Sequence, residues 1–318
     1  MSVVAAEAVI RRLGQMRLGM PLSHRALGLV PLYAPPSDPS VAYVPLAAAL
    51  AEGLVTIEEQ PSATVPSLRL VNDSACAVLI LDGDEVAGGK QNRVANTTLL
   101  VPAKCVFDLP VTCVEQGRWQ DLGPVFAAGE AAYPSLRAQK VEDVARAYGE
   151  AGAPISDQGR IWDEIAGRQT RMGTRSATHA MRDTYEQRAA HLARMLKRLP
   201  CPGDGAVGVI ALVAGRARCA DIFDRPETLA AHWPRLVRSY AMEALDQPSL
   251  RPSLDSAVRL VNRPRKARRT GFRSPGLGID VRFEGNGSTG AALVVEDSVI
   301  HAALFRRREK AINGPVPF

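Results

Sequence analysis

The chain has little aromatic character and few thiols. Phe, Trp and Tyr make up only 5% of its 318 residues, so aliphatic packing must dominate the core. The cysteines form no CxxC pair and lie near no histidine at zinc-ligand spacing; they are Cys76, Cys105, Cys113, Cys201 and Cys219. This odd number without a metal pattern predicts a reduced, cytoplasmic protein with mostly structural thiols.

Long apolar runs and a signal peptide are also missing. No segment approaches the continuous apolar length that a bilayer span requires. Arg11 and Arg12 follow the first apolar stretch, which reverses the order found in signal peptides. We therefore expect residues 1–20 to form a helical extension and expect no membrane partner. The net charge of +6 favours anionic partners.

Familiar catalytic signatures are absent. The sequence has no GxSxG, no HExxH, no GxxxxGK[ST], and no GxGxxG between a predicted strand and a predicted helix. The five histidines are scattered along the chain. Whether the protein is an enzyme is therefore left open by its motifs.

The order of apolar patterns predicts an α+β fold. Short runs rich in Val, Leu, Ile and Thr fill residues 21–119 and predict a mostly antiparallel sheet or sandwich. Residues 120–157 read as a long connection with one helical piece, VEDVARAY. Helical spacing follows at 158–171 and 176–199, and Asp224 is expected to cap a helix that ends near Leu245. We divide the chain into the extension 1–20, a β-rich domain 21–135 and an α+β region 136–318.

One internal similarity concerns residues 208–223 and 290–305. The two segments align without a gap, and each is apolar on both sides of a short polar turn. This pattern predicts two β-hairpins, with turns at Gly215–Arg216 and Asp297–Ser298, side by side in one sheet. We expect their purpose to be architectural.

Residues 262–276, NRPRKARRTGFRSPG, carry six basic residues and no acid. The run is typical either of a loop that contacts phosphate or RNA, or of a solvated linker. Only Phe272 is available for base stacking, so nucleic-acid binding is expected to be weak.

The first candidate site segment is LDGDEVAGGKQNR, residues 81–93. Its glycines let the backbone turn sharply and approach a ligand. Carboxylates from Asp82, Asp84 and Glu85 can hold a divalent ion, and Lys90 and Arg93 can hold phosphate. The alternative is a hairpin whose charges pair with each other or with water.

The second segment is CVEQGRW, residues 113–119. Arg118 offers a fork for phosphate, Trp119 a stacking surface, and Glu115 an acid or base. In the alternative, Arg118 pairs with Asp82 or Glu85 and Trp119 fills a seam between domains. If the two segments are adjacent strands, both end on the same sheet edge.

Several of these stretches resemble one prokaryotic family. LILDGDEVAGGKQNR, TTLLVPA and LPVTCVEQGRW look like the signature of the ARG and rhodanese-phosphatase-superfamily-associated protein domain. QGRIWDEI and DIFDRPETLAAHWPRLVRSYAMEAL resemble its C-terminal half, so the resemblance covers about residues 25–246. It implies an association with ADP-ribosylglycohydrolases and phosphatase-like proteins, and thereby with ADP-ribose or nucleotide processing. It implies no reaction.

Together these observations predict a soluble protein with a polar site for a small phosphorylated ligand, nucleotide or ADP-ribose-like. The expected ligand-binding residues are Lys90, Gln91, Asn92, Arg93, Asn96, Gln116, Arg118 and Trp119. If the protein is an enzyme, Glu85 or Glu115 is the acid–base residue, with a divalent metal ion on Asp82 as an option. The competing hypotheses are a non-catalytic scaffold that docks a partner protein or RNA, and a buried polar network that only ties the sheet to the helices.

Overall fold

The structure is a computed structural model, and it describes residues 2–37, 41–61, 66–120, 123, 126–203 and 205–307. Helices and strands occur in similar amounts and most strand pairs are antiparallel, so the predicted α+β class is confirmed. Among the described residues, no helix is both long and apolar enough to cross a membrane.

The helices lie mainly in the middle of the chain. They are α1 (Ser2–Gly14), α2 (Leu46–Ala51), α3 (Pro134–Ala151), α4 (Gln158–Met172), α5 (Met181–Gln187), α6 (Ala189–Arg198), α7 (Pro226–Ala244) and α8 (Leu254–Asn262), followed by a 3-10 helix, Arg263–Lys266.

The strands form three sheets. The largest contains β1 (Arg17–Leu18), β2 (Leu22–His24), β3 (Leu27–Tyr33), β13 (Ala206–Val213), β14 (Arg216–Phe223), β15 (Arg268–Arg273), β16 (Ile279–Gly285), β17 (Ser288–Val295) and β18 (Ser298–Arg306). The second contains β5 (Val55–Glu59), β6 (Ser67–Asn72), β8 (Asp84–Ala87), β9 (Arg93–Ala95), β11 (Cys105–Cys113) and β12 (Ala127–Ala131). The third contains β4 (Tyr43–Pro45), β7 (Ala77–Ile80) and β10 (Leu99–Val101).

The two predicted hairpins are present in the large sheet. β13 pairs with β14, β17 pairs with β18, and β14 lies beside β18, so the hairpins are neighbours as expected. The residues between the strands are 214–215 and 296–297, one position before the predicted turns. Ala214 and Gly215 both have positive φ, which a tight hairpin turn of this kind requires.

The N-terminal strands are shared between sheets. Residues 55–113 supply most of the second sheet, as the β-rich pattern predicts. β3, in contrast, pairs with β13 in the large sheet, although it belongs to the predicted β-rich domain. The domain boundaries stay a prediction.

Three helix predictions differ from the structure. α3 runs through 134–151 rather than only VEDVARAY, because Pro134 suits its first turn and Gly152 closes it with a left-handed φ of 67°. The expected helix 176–199 is divided into α5 and α6, whose shared boundary residue is Arg188. The prediction that Asp224 caps the next helix is wrong, because Arg225 is the N-cap residue of α7. The buried Asp224 carboxylate instead accepts the Tyr43 hydroxyl hydrogen at 2.6 Å.

Helices cover both faces of the large sheet. α1 and α8 pack against one face, on side chains such as Ile210 and Phe283. α3 and α7 pack against the other face, on side chains such as Ala211 and Phe305. Because alternate residues of a strand point to opposite faces, this arrangement fixes which side chains of the edge strand β15 and its neighbour β16 turn toward α3.

The basic run 262–276 is ordered and is not a linker. It ends α8, forms the 3-10 helix and then forms β15, the edge strand of the large sheet. Arg268, Thr270 and Phe272 alternate along β15, opposite Glu284, Arg282 and Asp280 of β16. The run therefore presents its charges on a sheet.

Candidate functional site

The two candidate segments lie on adjacent strands. β9, which follows KQNR, pairs with both β8 and β11, and Arg93 lies opposite Cys113. The expectation that the segments converge on one edge of a sheet is therefore confirmed. A ligand site requires side chains that are free to bind a ligand, whereas a structural network requires side chains that are bound to one another.

The cations of the KQNR loop are paired inside the protein. Arg93 is fully buried, and its guanidinium donates to both carboxylate oxygens of Glu59, at 3.0 and 3.2 Å. Lys90 is half-buried, and its ammonium lies 5.3 Å from the centroid of the Trp119 ring. A ligand phosphate would have to compete with these partners.

The amides of the loop bind neighbouring backbone and side chains. Gln91 donates to the Glu115 carbonyl at 2.8 Å, and Asn96 donates to the Pro154 carbonyl at 2.9 Å. The Asn92 side-chain oxygen accepts the Gly88 amide hydrogen at 3.1 Å. These contacts hold the loop against the strands around it. Gln116, in contrast, is exposed.

Glu115 and Arg118 form an ion pair. The Arg118 guanidinium donates to Glu115 at 2.7 Å and to the Gly89 carbonyl at 2.5 Å, and the Thr178 hydroxyl donates to the second Glu115 oxygen at 2.9 Å. Burial raises the pKa of Glu115, but the hydrogen bonds from Arg118, the Asn92 amide and Thr178 outweigh it and leave that pKa below its ordinary value. Glu115 is therefore held as a carboxylate.

Arg118 pairs with neither Asp82 nor Glu85, and Trp119 does not fill a seam. The side chain of Trp119 is 52% exposed. Both details of the structural alternative are therefore wrong, although its general idea of internally paired charges describes the segment well.

Glu85 is fully buried on β8. One carboxylate oxygen accepts the Glu130 amide hydrogen at 2.9 Å, and the other has no hydrogen-bond partner among the described residues. Burial raises the pKa of Glu85 to about 7, which the Glu130 amide and the cations Arg182 and Arg235 reduce only partly. A carboxyl group with this pKa can exchange a proton near neutral pH. Its predicted catalytic role stays a prediction.

Asp82 lies in a buried ionic cluster that the sequence did not indicate. Its carboxylate contacts the Lys140 ammonium and lies 3.4 Å from the Arg137 guanidinium. Arg137 also binds Asp221 at 2.7 Å, and Tyr240 donates to the same carboxylate at 2.5 Å. Although burial raises the pKa of Asp221, Arg137 and His301 lower it well below its ordinary value.

The metal assignment for Asp82 stays a prediction. Both of its oxygens face cations of the cluster. Within the part of the chain that the structure describes, no three His, Cys, Asp or Glu side chains come together in a way that suits a metal ion.

A second polar location lies between α3 and the edge strand β15 with its neighbour β16, and we call it the α3–β15 cavity. It has a volume of about 430 Å3. Its lining includes Arg146, Arg160, Arg268, Arg282 and Arg307, with Glu142, Glu284, Thr270, Phe272 and Gly149. Five guanidinium groups and two carboxylates thus surround a space large enough for a small ligand.

The guanidinium of Arg282 has unused hydrogen-bonding capacity. Arg282 is 2% exposed and donates through one terminal nitrogen to Thr97 and Asp280, at 2.6 Å each. Its Nε and its other terminal nitrogen have no partner among the described residues. Buried donors of this kind ordinarily have partners, and these two nitrogens are themselves closed to solvent, so Arg282 adds positive charge to the wall of the cavity without offering them at its surface.

Aromatic rings lie at the same cavity. Phe272 stacks on Tyr148 of α3, with centroids 4.5 Å apart and an interplanar angle of 7°. The Tyr148 hydroxyl donates to the Asp280 carboxylate at 3.1 Å. The Arg282 guanidinium lies over the Tyr148 ring, with its central carbon 5.3 Å from the ring centroid. The cavity therefore combines cations with one lining aromatic ring, Phe272, which Tyr148 backs on one face.

The profile of the ARG and Rhodanese-Phosphatase-superfamily-associated Protein domain matches residues 15–305. The chain belongs to this family. The match includes the KQNR and EQGRW segments, the buried Asp82 cluster and all but one of the residues named for the α3–β15 cavity, Arg307. Neither the curated proteins nor the solved structures gave a match to the chain.

Proposed function

We propose that the protein binds a nucleotide or an ADP-ribose-like phosphorylated molecule, and that it does so in the α3–β15 cavity. The observation that carries the proposal is the presence of five arginines and the Phe272 ring, which is backed by Tyr148, around one space of about 430 Å3. Such a ligand has two chemical parts, an anionic phosphate and a flat ring, and the cavity offers a partner for each.

Charge supports the phosphate half of this proposal. Arg146 and Arg160 share the Asp143 carboxylate, and Arg307 binds Glu142 at 2.8 Å. These carboxylates hold the guanidinium groups at the rim while leaving an excess of donors. Arginine suits this role because its planar fork matches two phosphate oxygens at once.

Stacking supports the ring half. One face of the half-buried Phe272 ring is covered by Tyr148. A base placed on the ring would extend the stack and gain roughly 1–3 kcal/mol. The adjacent Gly149 has open space where a side chain would begin, so the helix leaves room for the ligand at this point.

The α3–β15 cavity is a better candidate than the KQNR loop. Arg93 and Arg118 bind Glu59 and Glu115 inside the protein, with side chains 0% and 9% exposed. Removing them from those partners for a phosphate would leave carboxylates without their charge partners, at a cost of several kcal/mol. The ion-paired arginines at the rim of the cavity have side chains 41–53% exposed, and exposed pairs of this kind cost little to rearrange. The loop and the EQGRW segment therefore fit the hypothesis of a structural polar network.

A cytoplasmic location is part of this proposal. The chain has an odd number of cysteines, and Cys113 and Cys219 are buried as free thiols, which suits a reducing compartment.

The proposal is tested by titrating ADP-ribose, AMP and ribose 5-phosphate into the protein and measuring affinity by calorimetry. Arg268→Gln should weaken all three ligands about tenfold or more, because a charge-assisted hydrogen bond contributes roughly 1.5–3 kcal/mol. Phe272→Leu should weaken only the two ligands that contain adenine. Arg69→Gln removes a half-exposed guanidinium from β6 and serves as the matched control.

Unchanged affinities in both cavity variants would contradict the proposed location. The absence of heat and of any thermal shift with all three ligands would contradict the proposed ligand class.

A further inference from the structure

The α3–β15 cavity is one end of a longer groove. A cavity of about 720 Å3 shares Glu142, Arg160 and Arg307 with it. A third, of about 410 Å3, shares Arg218, Arg306 and Arg307 with the second, and a fourth, of about 370 Å3, shares Arg216 and Arg306 with the third. Because each cavity shares lining residues with the next, the four lie side by side in a row, which we call the arginine groove.

The arginine groove concentrates the positive charge of the protein. Among the described residues, twelve arginines and five carboxylates line it, a net charge of +7, whereas the whole chain carries +6. None of these described lining residues is a lysine. A path with this much charge and with forked donors throughout matches a row of phosphates better than a single phosphate group.

We propose that the arginine groove binds single-stranded nucleic acid. The phosphodiester backbone runs along the groove, and one base stacks on Phe272 at the end formed by the α3–β15 cavity. This inference rests on the proposed function, since the terminal nucleotide occupies the site described there. It deepens that function by making the ligand a polymer.

The aromatic pair favours a single strand over a duplex. A base can lie on the Phe272 ring only when it is unstacked from its neighbours. Bases within a duplex remain stacked on one another, so they cannot occupy this position. Because Phe272 is the single aromatic residue among the described residues that line the four cavities, the groove offers mainly contacts to phosphate. Binding should therefore be indifferent to sequence and sensitive to salt.

The far end of the groove provides variants that leave the α3–β15 cavity intact. Arg216 and Arg259 are exposed, and neither has a carboxylate within ion-pair distance among the described residues. Arg216→Gln combined with Arg259→Gln removes two charges without breaking a described ion pair. Arg194→Gln combined with Lys197→Gln removes two exposed charges from α6, outside the groove, and is the matched control.

The test uses fluorescence anisotropy with labelled oligothymidylates of increasing length, at salt concentrations from about 50 to about 200 mM. Affinity should rise with length until the groove is filled, and should fall steeply with salt. The groove variant should flatten the slope of log K against log salt by about 1.4, because each phosphate contact on a single strand contributes about 0.7. Its affinity for AMP should equal that of the parent, and the α6 control should bind oligonucleotides as the parent does.

Three results would overturn the inference while leaving the proposed function intact. One is AMP binding without any gain from added nucleotides. Another is an equal loss of oligonucleotide affinity in the α6 control and the groove variant. Inorganic polyphosphate that binds more tightly than an oligothymidylate with the same number of phosphates would also overturn it, since the groove would then select for charge alone. Failure of AMP and oligonucleotides together would count against the proposed function as well.

Discussion

Replacing Glu85 by glutamine should remove a pH-dependent loss of stability. The carboxyl group is fully buried on β8, and burial raises its pKa to about 7. Three charged groups face it from neighbouring elements: Glu130 on β12, Arg182 on α5 and Arg235 on α7. Glutamine has the same shape as the protonated acid, so it keeps the contact with the Glu130 amide without carrying charge.

The sign and size of the effect follow from proton linkage. Between about pH 4.5, the ordinary pKa, and about pH 7, the unfolded state has released the proton while the folded state retains it. The unfolding free energy therefore falls as the pH rises through this window, and the loss is complete above it. Each pH unit corresponds to about 1.4 kcal/mol, so the whole window corresponds to roughly 3 kcal/mol.

The assay is urea unfolding followed by tryptophan fluorescence, at several pH values from about 5 to about 8. The parent and Glu85→Gln should be similarly stable near pH 5, and the variant should become the more stable of the two by roughly 3 kcal/mol near pH 8. Glu58→Gln changes an exposed carboxylate on β5 and is the matched control, with no such divergence expected. A stability difference between parent and Glu85→Gln that stays constant across the range would refute the reasoning.

Three further substitutions test the interior and α3. Arg137→Met leaves the Asp221 carboxylate without its guanidinium, so the unfolding free energy should fall by roughly 3–5 kcal/mol, and an unchanged melting temperature would contradict this. Arg118→Met should cost less, about 1–3 kcal/mol in urea unfolding, because Glu115 retains its other hydrogen bonds; a loss too small to measure would show that the ion pair is not structural. Gly149→Ala lies within α3 with open space around it and should raise the unfolding free energy by about 0.5–1 kcal/mol, whereas a lower value would mean that the position is crowded.

Local patterns in the sequence predicted those features that depend on neighbouring residues. Alternating apolar residues around short polar turns were sufficient to predict both hairpins and their placement side by side. The KQNR and EQGRW segments were predicted to converge because each lies at the end of a strand. In both cases the decisive information lies within about 15 residues of sequence, where backbone periodicity alone limits the alternatives.

Partners distant in sequence could not be predicted in this way. Glu59 binds Arg93 across 34 positions, and Asp221 meets Arg137 across 84. Such pairs depend on sheet register and helix packing, which no short pattern determines. For this reason the sequence identified the charged groups of the KQNR loop correctly but assigned them to a ligand, while the structure pairs Arg93 with Glu59 and places Lys90 over the Trp119 ring.

The arginine groove was missed for the same reason. Its arginines come from α3, α4, α8, the 3-10 helix, β14, β15, β16, β18 and the residue after β18, so they become neighbours only when the large sheet is assembled. The basic run 262–276 was the one available signal, and it supplied Arg268 and Phe272. Its charge was evident from the sequence, but its position on an edge strand facing α3 was not.

The central claim is that the phosphorylated ligand lies in the α3–β15 cavity. The most direct measurement is photo-crosslinking with 8-azido-ADP-ribose, followed by mass spectrometry of the labelled peptides. The account predicts labelling of the peptides that contain Phe272 and Tyr148, and loss of that labelling when unmodified ADP-ribose is added in excess. Competed labelling at residues 90–119, with none on those two peptides, would contradict it.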